Sequence, residues 1–244
     1  MGALGKVGIA DVLTMSNGVC GLLAIYLLLT QDRDITLGSS LILLGFVFDG
    51  ADGWAARRWG TLHDHGRVLD SVSDAITFCA APAVMAYVVF HGGVDENLVM
   101  MTGTLMITLG WVRLYRFTTT GYRLPHFRGL ATPAMAFLAI MVCHILNPER
   151  WDGGAAPLAG VLVLLAASAL MVFPVRYPKV RGRTAVVLAV AVVSCLVAIG
   201  VAREMDVPGT DEAFRALAVG ALALVAGYVL LGPVWIAVRG GEAD

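Results

Sequence analysis

The sequence predicts an all-α, polytopic membrane helical bundle of about eight transmembrane helices. Three observations carry that prediction. The chain is 244 residues long, 58% hydrophobic and only 14% charged, whereas a soluble domain carries about 25% charged residues. Its mean hydropathy is +0.80. Apolar runs recur between short polar connections, most of them close to the roughly 20 residues a helix needs to cross ~30 Å of hydrocarbon. Basic residues also segregate, with 13 of the 17 Lys and Arg falling on alternate connections.

The spans are placed near residues 12–30, 36–56, 66–90, 98–117, 130–147, 155–175, 184–202 and 212–238. Ahead of the first span the only basic residue is Lys6, and no small-residue cleavage site precedes Gln31. The first span is therefore expected to stay in the membrane rather than be removed as a leader. The second is apolar only from Thr36 to Phe48, so its far end is expected to emerge into water or headgroups. Pro82 lies inside the third span, and its missing N–H predicts a kink, either opening a lipid access slot or serving no purpose of its own. The fourth ends on Arg113 and Arg116. The last four are read from their apolar runs. No internal repeat or low-complexity linker divides the chain, so residues 1–244 read as a single domain.

Lys6, then Arg57, Arg58 and Arg67, then Arg113, Arg116, Arg123 and Arg128, then Arg176, Lys179, Arg181 and Arg183, and last Arg239 make up the basic side. Basic connections stay in the cytoplasm, so both termini, and the carboxylates between Asp49 and Asp74, are expected on the cytoplasmic side of a cell membrane. The opposite connections carry Asp32, Asp34, Asp95, Glu96, Glu149, Asp152, Glu204, Asp206, Asp211 and Glu212. The net charge of -1 hides this asymmetry and gives no reason to expect nucleic acid. Lys179, Arg181 and Arg183 read as lipid headgroup contacts, and Tyr115, Tyr122 and Tyr177 as interfacial belt aromatics. Cys20, Cys79, Cys143 and Cys195 lie apart in apolar runs without a Cys-x-x-Cys pair, and read as buried free thiols.

One stretch departs from this apolar background. From residue 49 the chain reads Asp-Gly-Ala-Asp-Gly-Trp-Ala-Ala-Arg, followed by eight residues, Gly66, three residues, Asp70, three more and Asp74. A carboxylate at the bilayer centre costs about 2.5–3.5 kcal/mol on insertion scales, so four of them call for a compensating ligand or a wet cavity. On a helix Asp49, Asp52, Gly53 and Ala56 share one face, and Gly66, Asp70 and Asp74 share another. The polar residues between Arg58 and His65 let the two helices turn back on each other, bringing four carboxylates together. Two divalent ions would balance them, and oxygen-only ligands favour Mg²⁺ or Mn²⁺ over zinc. Gly53, Ala56 and Gly66 remove bulk beside the ions, and Arg57 offers a forked cation suited to phosphate. This set fits transfer of a phosphoryl group out of a pyrophosphate. Either half alone reads equally well as a helix end with a snorkelling arginine. His63 and His65 read as loop residues rather than metal ligands.

The motif resembles that of the CDP-alcohol phosphatidyltransferases, Asp-x-x-Asp-Gly-x-x-Ala-Arg-x8-Gly-x3-Asp-x3-Asp, matching every fixed position from Asp49 to Asp74. The resemblance implies a six-helix core holding two divalent ions, here extended by two helices, and an alcohol that displaces CMP from a CDP-linked lipid. It implies that Asp49 and Asp70 bridge the metals, that Asp52 and Asp74 each bind one of them, and that Asp74 is the general base. Gly53 and Arg57 then face the nucleotide and diphosphate, and Ala56 and Gly66 make room for it. Thr14 and Asn17 correspond to positions that line the cytidine pocket, although Thr14 bonding back to its own helix is an equal reading. Homodimers are common in the family.

Further stretches are similar to the phosphatidylserine synthase and archaetidylserine synthase branch. These are Leu69 to Asp74 running on to Ala81-Pro82-Ala83, Arg113 to Phe117, Phe127-Arg128-Gly129-Leu130 with Pro133, and Tyr177-Pro178-Lys179. The match after Leu130 is partial. The branch implies L-serine as acceptor and an ester- or ether-linked CDP-lipid as donor. Serine brings a carboxylate, for which Arg113 and Arg116, expected on one side of their helix, and Arg128 are candidates, set against an equal reading as positive-inside anchors. Rival readings are the same chemistry on glycerol 3-phosphate, inositol phosphate or inositol, an intramembrane prenyltransferase, and a divalent-cation transporter. A prenyltransferase would show two distant Asp-rich motifs, and a transporter would spread its ligands through several spans.

Overall fold

The computed structural model describes residues 8–30, 34–59, 64–120, 127–148, 155–177 and 209–240. These form an all-helical bundle with one two-stranded clip. Helix α1 (Ile9–Leu29) starts at Gly8, whose N–H donates to the Asp11 carboxylate at 2.9 Å. Its buried stripe of Ala10, Thr14, Asn17, Gly18, Gly21, Ala24 and Leu28 recurs every three or four residues. Ile9, Val12, Leu22, Leu23 and Tyr26 on the other face are exposed, as suits a surface bathed in lipid. Helix α2 (Ile35–Trp59) runs back against α1 and is opened by Asp34, which accepts the Leu37 N–H at 2.8 Å.

The third span is α3 (Asp64–Asp74), a π-helical turn π1 (Ala75–Ala80) and α4 (Ala81–Phe90). The expected irregularity is present, though it lies just ahead of Pro82 rather than as a simple bend at it. The Ala81 N–H reaches back five residues to the Ile76 carbonyl. Pro82 has no N–H for the Phe78 carbonyl, so the ladder is already broken there, and a wide turn is the form the break takes. Pro82 itself is buried at the start of α4. An apolar groove of about 570 Å³, lined by Val72, Ile76, Trp111, Leu114 and Tyr115 among others, runs beside π1.

Helix α5 (Glu96–Thr120) begins with Asp95 accepting the Leu98 N–H at 3.0 Å. It is followed by strand β1 (Phe127–Arg128), α6 (Thr132–Ile145), α7 (Ala156–Val172), strand β2 (Arg176–Tyr177) and α8 (Thr210–Gly240). The strands pair antiparallel, with Phe127 opposite Tyr177 and Arg128 opposite Arg176. This explains the Phe-Arg-Gly-Leu stretch. Gly129 has φ +80°, and its N–H donates to the Val175 carbonyl at 2.8 Å. A Cβ there would collide with the Met171 carbonyl oxygen, so only glycine fits the turn.

Among the described residues four segments are long and apolar enough to cross a membrane: Ile9–Leu29, Ile35–Ala56, Gly66–Phe90 and Glu96–Thr119. Thr132–Ile145, Ala156–Val172 and Ala226–Ile236 are apolar and shorter. At 1.5 Å per residue a 14-residue helix such as α6 spans about 21 Å, short of the hydrocarbon thickness. The expected span 184–202 lies outside the described residues. The described residues thus form a helical integral membrane bundle, with four full-length spans and further short apolar helices among them. Of these four, the third span is the most buried, 61% against 39% for each of the others. The core around it includes Phe78, Met85, Phe90, Met135, Ile140 and Leu164. Cys20, Cys79 and Cys143 are free and buried, and Cys195 lies outside the described residues.

Candidate metal and active site

The carboxylates occupy the second half of α2 and the last two turns of α3. One carboxylate oxygen each from Asp49, Asp70 and Asp74 lies within 4.8 Å of the others. Asp49 comes from one helix, and Asp70 and Asp74 stand one turn apart on the next. Helices α2 and α3 therefore close the cluster between them. All three side chains are half-buried. Asp52 is 6% exposed and accepts the Thr14 hydroxyl at 2.5 Å. Its charge still acts on Asp49, Asp70 and Asp74. Hard oxygen donors at such spacing, drawn into a partly buried space, suit a divalent cation. Their mutual repulsion calls for one.

Helix α1 reaches the cluster from the side. Asn17 is fully buried and donates its amide to an Asp74 oxygen at 3.1 Å, while its backbone carbonyl accepts the Thr77 hydroxyl at 2.8 Å. Thr14 Oγ1 also sits 3.0 Å from the Ala10 carbonyl. A hydroxyl has one proton, and the carboxylate is the stronger acceptor. Gly53, Ala56 and Gly66 are half-buried. A Cβ on Gly66 would meet only Asp11 Oδ1, at 3.4 Å, an ordinary contact. Arg57 lies on α2, but its side chain, like the side chains of Asp64 and His65, falls outside the described residues, as does His63 altogether.

The three candidate serine-site arginines have different surroundings. Arg113 is 8% exposed, donates to the Thr132 hydroxyl at 2.7 Å, and holds its guanidinium 5.6 Å from the Phe117 ring centroid. Its charge acts on Asp74 and Asp49. Arg116 is exposed and donates to the Val172 carbonyl at 3.0 Å. Positions i and i+3 are about 60° apart around a helix. Helix α5 packs on both α6 and α7, so that angle sends the two side chains to different neighbours. Arg128 is exposed on β1. Tyr115 is exposed, as a belt aromatic would be, but Tyr177 is 1% exposed and stacks on Tyr228 with ring centroids 5.5 Å apart. The belt reading of Tyr177 is therefore corrected: the β1–β2 clip draws it into the core. Tyr122 lies outside the described residues.

Sequence reasoning missed Thr77 and Thr132, which bond Asn17 and Arg113. Both are single hydroxyls in apolar runs, and only the fold shows what they face. Gly18, Gly21 and Gly45 were missed too. Cβ atoms there would meet Ser73, the Thr77 backbone and the Asn17 amide oxygen, at 3.0, 2.8 and 2.8 Å. The Gly-x-x-Gly spacing in α1 was the available signal for that close approach.

The sequence profile of the CDP-alcohol phosphatidyltransferases matches residues 7–173. The chain is 34% identical over 193 residues to a CDP-diacylglycerol–serine O-phosphatidyltransferase of Methanocaldococcus jannaschii, covering 79% of this chain and 84% of that protein. It is 32% identical to an archaetidylserine synthase of Methanothermobacter thermautotrophicus, covering 72% of each. A Bacillus subtilis CDP-diacylglycerol–serine O-phosphatidyltransferase is 31% identical, over 71% of this chain and 92% of that protein. With the motif intact and the matched residues spanning all the carboxylates, the chain belongs to the CDP-alcohol phosphatidyltransferase family.

Proposed function

We propose that this protein transfers the phosphatidyl-type group of a CDP-linked lipid, ester- or ether-linked, to the hydroxyl of L-serine, releasing CMP. The observation that carries the reading is the convergence of Asp49, Asp70 and Asp74 within 4.8 Å inside a membrane bundle. The names of the relatives support serine as acceptor. In this reading Asp49, Asp52, Asp70 and Asp74 would hold two divalent ions, Mg²⁺ or Mn²⁺. When bound, such ions neutralise diphosphate oxygens and the leaving phosphate.

The chain's own groups do the rest. Asp74 takes the serine hydroxyl proton as that oxygen forms its bond to the lipid-side phosphorus. The bond from that phosphorus to the bridging oxygen breaks, and CMP leaves with the electron pair. An ordinary aspartate, with a reference pKa of about 3.9, is a weak base for an alcohol, so proton transfer accompanies attack. Gly53 and Arg57 face the nucleotide and diphosphate, and Ala56 and Gly66 leave it space. Arg113 receives the serine carboxylate, because it is a buried cation acting on Asp74 and a desolvated guanidinium binds a carboxylate firmly. Arg116 and Arg128, both exposed, serve as secondary contacts. In this reading residues 1–244 act as one domain, with both termini and the carboxylates on the cytoplasmic side, an orientation that the basic connections support.

The test incubates the purified protein with CDP-lipid, Mn²⁺ and, in turn, labelled serine, glycerol 3-phosphate and inositol. CMP release with label in lipid from serine alone is expected. Incorporation of another acceptor in preference to serine would reassign the acceptor, and metal-independent release would overturn the mechanism.

A further inference from the structure

Helix α1 bonds two carboxylates on two different helices. Thr14 donates to Asp52 on α2 at 2.5 Å, and Asn17, one turn further, donates to Asp74 on α3 at 3.1 Å. Both donors are buried, at 6% and 0% exposure. The orientation of the Asn17 amide is dictated by its surroundings, since reversing it would set its oxygen against a carboxylate oxygen. In the orientation present, Asn17 Oδ1 is buried and has no hydrogen-bond partner among the described residues. An apolar side chain would fill that place without stranding an acceptor. The amide is therefore retained for its donor end. Its backbone is fixed by the Thr77 hydroxyl at 2.8 Å, and close approach is secured by Gly18, Gly21 and Gly45.

We propose that Thr14 and Asn17 are positioning residues for the metal-binding carboxylates, with α1 setting the orientation of Asp52 and Asp74 independently of any nucleotide. Each donor engages one carboxylate oxygen and restricts rotation of the group. Groups that orient metal ligands in this way govern affinity as well as rate. The inference rests on the metal-dependent reading given above. It differs from a cytidine-lining role, which would act through affinity for the CDP-lipid.

The experiment titrates the full-length protein in nanodiscs with Mn²⁺ alone, followed by electron paramagnetic resonance, and measures steady-state kinetics alongside. Asn17→Ala and Thr14→Val should each weaken Mn²⁺ binding about tenfold, the lower end of what removing a ligand-orienting group costs. Thr14→Ser, which keeps the hydroxyl, should restore it. Ser39→Ala removes a buried bond to His144, ten residues along α2 from Asp49, and should lower thermal stability while Mn²⁺ affinity holds. In the Thr14→Val and Asn17→Ala proteins kcat should fall about tenfold with the KM for CDP-lipid changed less than about twofold. Unaltered Mn²⁺ affinity in Thr14→Val and Asn17→Ala, or a loss confined to the KM for CDP-lipid, would overturn the proposal. The titration needs no acceptor, so failure of the serine assignment leaves this test intact.

Discussion

At the scale of single residues, the carboxylates work against the fold that carries them. Two unit charges 4.8 Å apart would repel by about 3.5 kcal/mol at an effective dielectric of 20, and one oxygen each of Asp49, Asp70 and Asp74 lies within that distance of the others. Without a cation the cluster is a source of strain. Asp70→Asn and Asp74→Asn keep shape and remove one charge, so each should raise the melting temperature of the metal-free protein, measured in EDTA, while lowering CMP release at least about a hundredfold. A fall in metal-free stability would mean the carboxylates are structural partners rather than an electrostatic burden. Gly66 makes a complementary case. A methyl group there meets only Asp11 at 3.4 Å, so Gly66→Ala should shift stability by less than about 0.5 kcal/mol, as unconstrained surface-like changes do. If Gly66 leaves room for the nucleotide, the same change should raise the KM for CDP-lipid several-fold. Arg113→Gln should raise the serine KM about tenfold or more through loss of a charge-assisted contact, and Arg116→Ala far less. Equal effects would return the two arginines to the role of anchors.

At the scale of elements, what positions the site is the fit of α1 against the third span. A Cβ at Gly21 would fall 2.8 Å from Thr77 Cα and 2.9 Å from its nitrogen, both backbone atoms that cannot swing aside. Gly21→Ala should therefore destabilise by about 1–3 kcal/mol, as overpacking does, and should lower activity by withdrawing Asn17 from Asp74. Comparing thermal melts with CMP release for this variant checks both halves of that statement. The sequence already showed which residues would share a helix face here, because period 3.6 places Asp49 with Asp52 and Asp70 with Asp74. It did not show π1, since a shifted hydrogen-bond ladder leaves no mark in hydrophobic spacing, and Pro82 reported only that a break was near. The β1–β2 clip is two residues per strand, too short for any alternation to register. The split between Arg113 and Arg116 depended on which helices flank α5, a tertiary fact.

At the scale of the whole molecule, the charge pattern read along the chain becomes a polarity of the bundle. Arg58, Arg67, Arg116, Arg128 and Arg176 are all exposed. They stand at the end of α2, the start of α3, the end of α5 and the two clip strands. Antiparallel connectivity puts these positions at one end of the bundle. Asp34, Asp95 and Glu96, at the starts of α2 and α5, belong to the other. The carboxylate cluster shares the basic end, where soluble serine and CMP could exchange if that end faces the cytoplasm. Positive charges near span ends set orientation, and this argument can be tested without any assay of activity. In a background lacking native cysteines, Asn97→Cys places an exposed thiol at the acidic end and Arg58→Cys one at the basic end. A membrane-impermeant maleimide applied to intact cells should label the first and spare the second until the cells are lysed. The reverse pattern would put the carboxylates outside, away from any cytoplasmic supply of CDP-lipid headgroups. It would overturn the orientation while leaving the geometry of the cluster untouched.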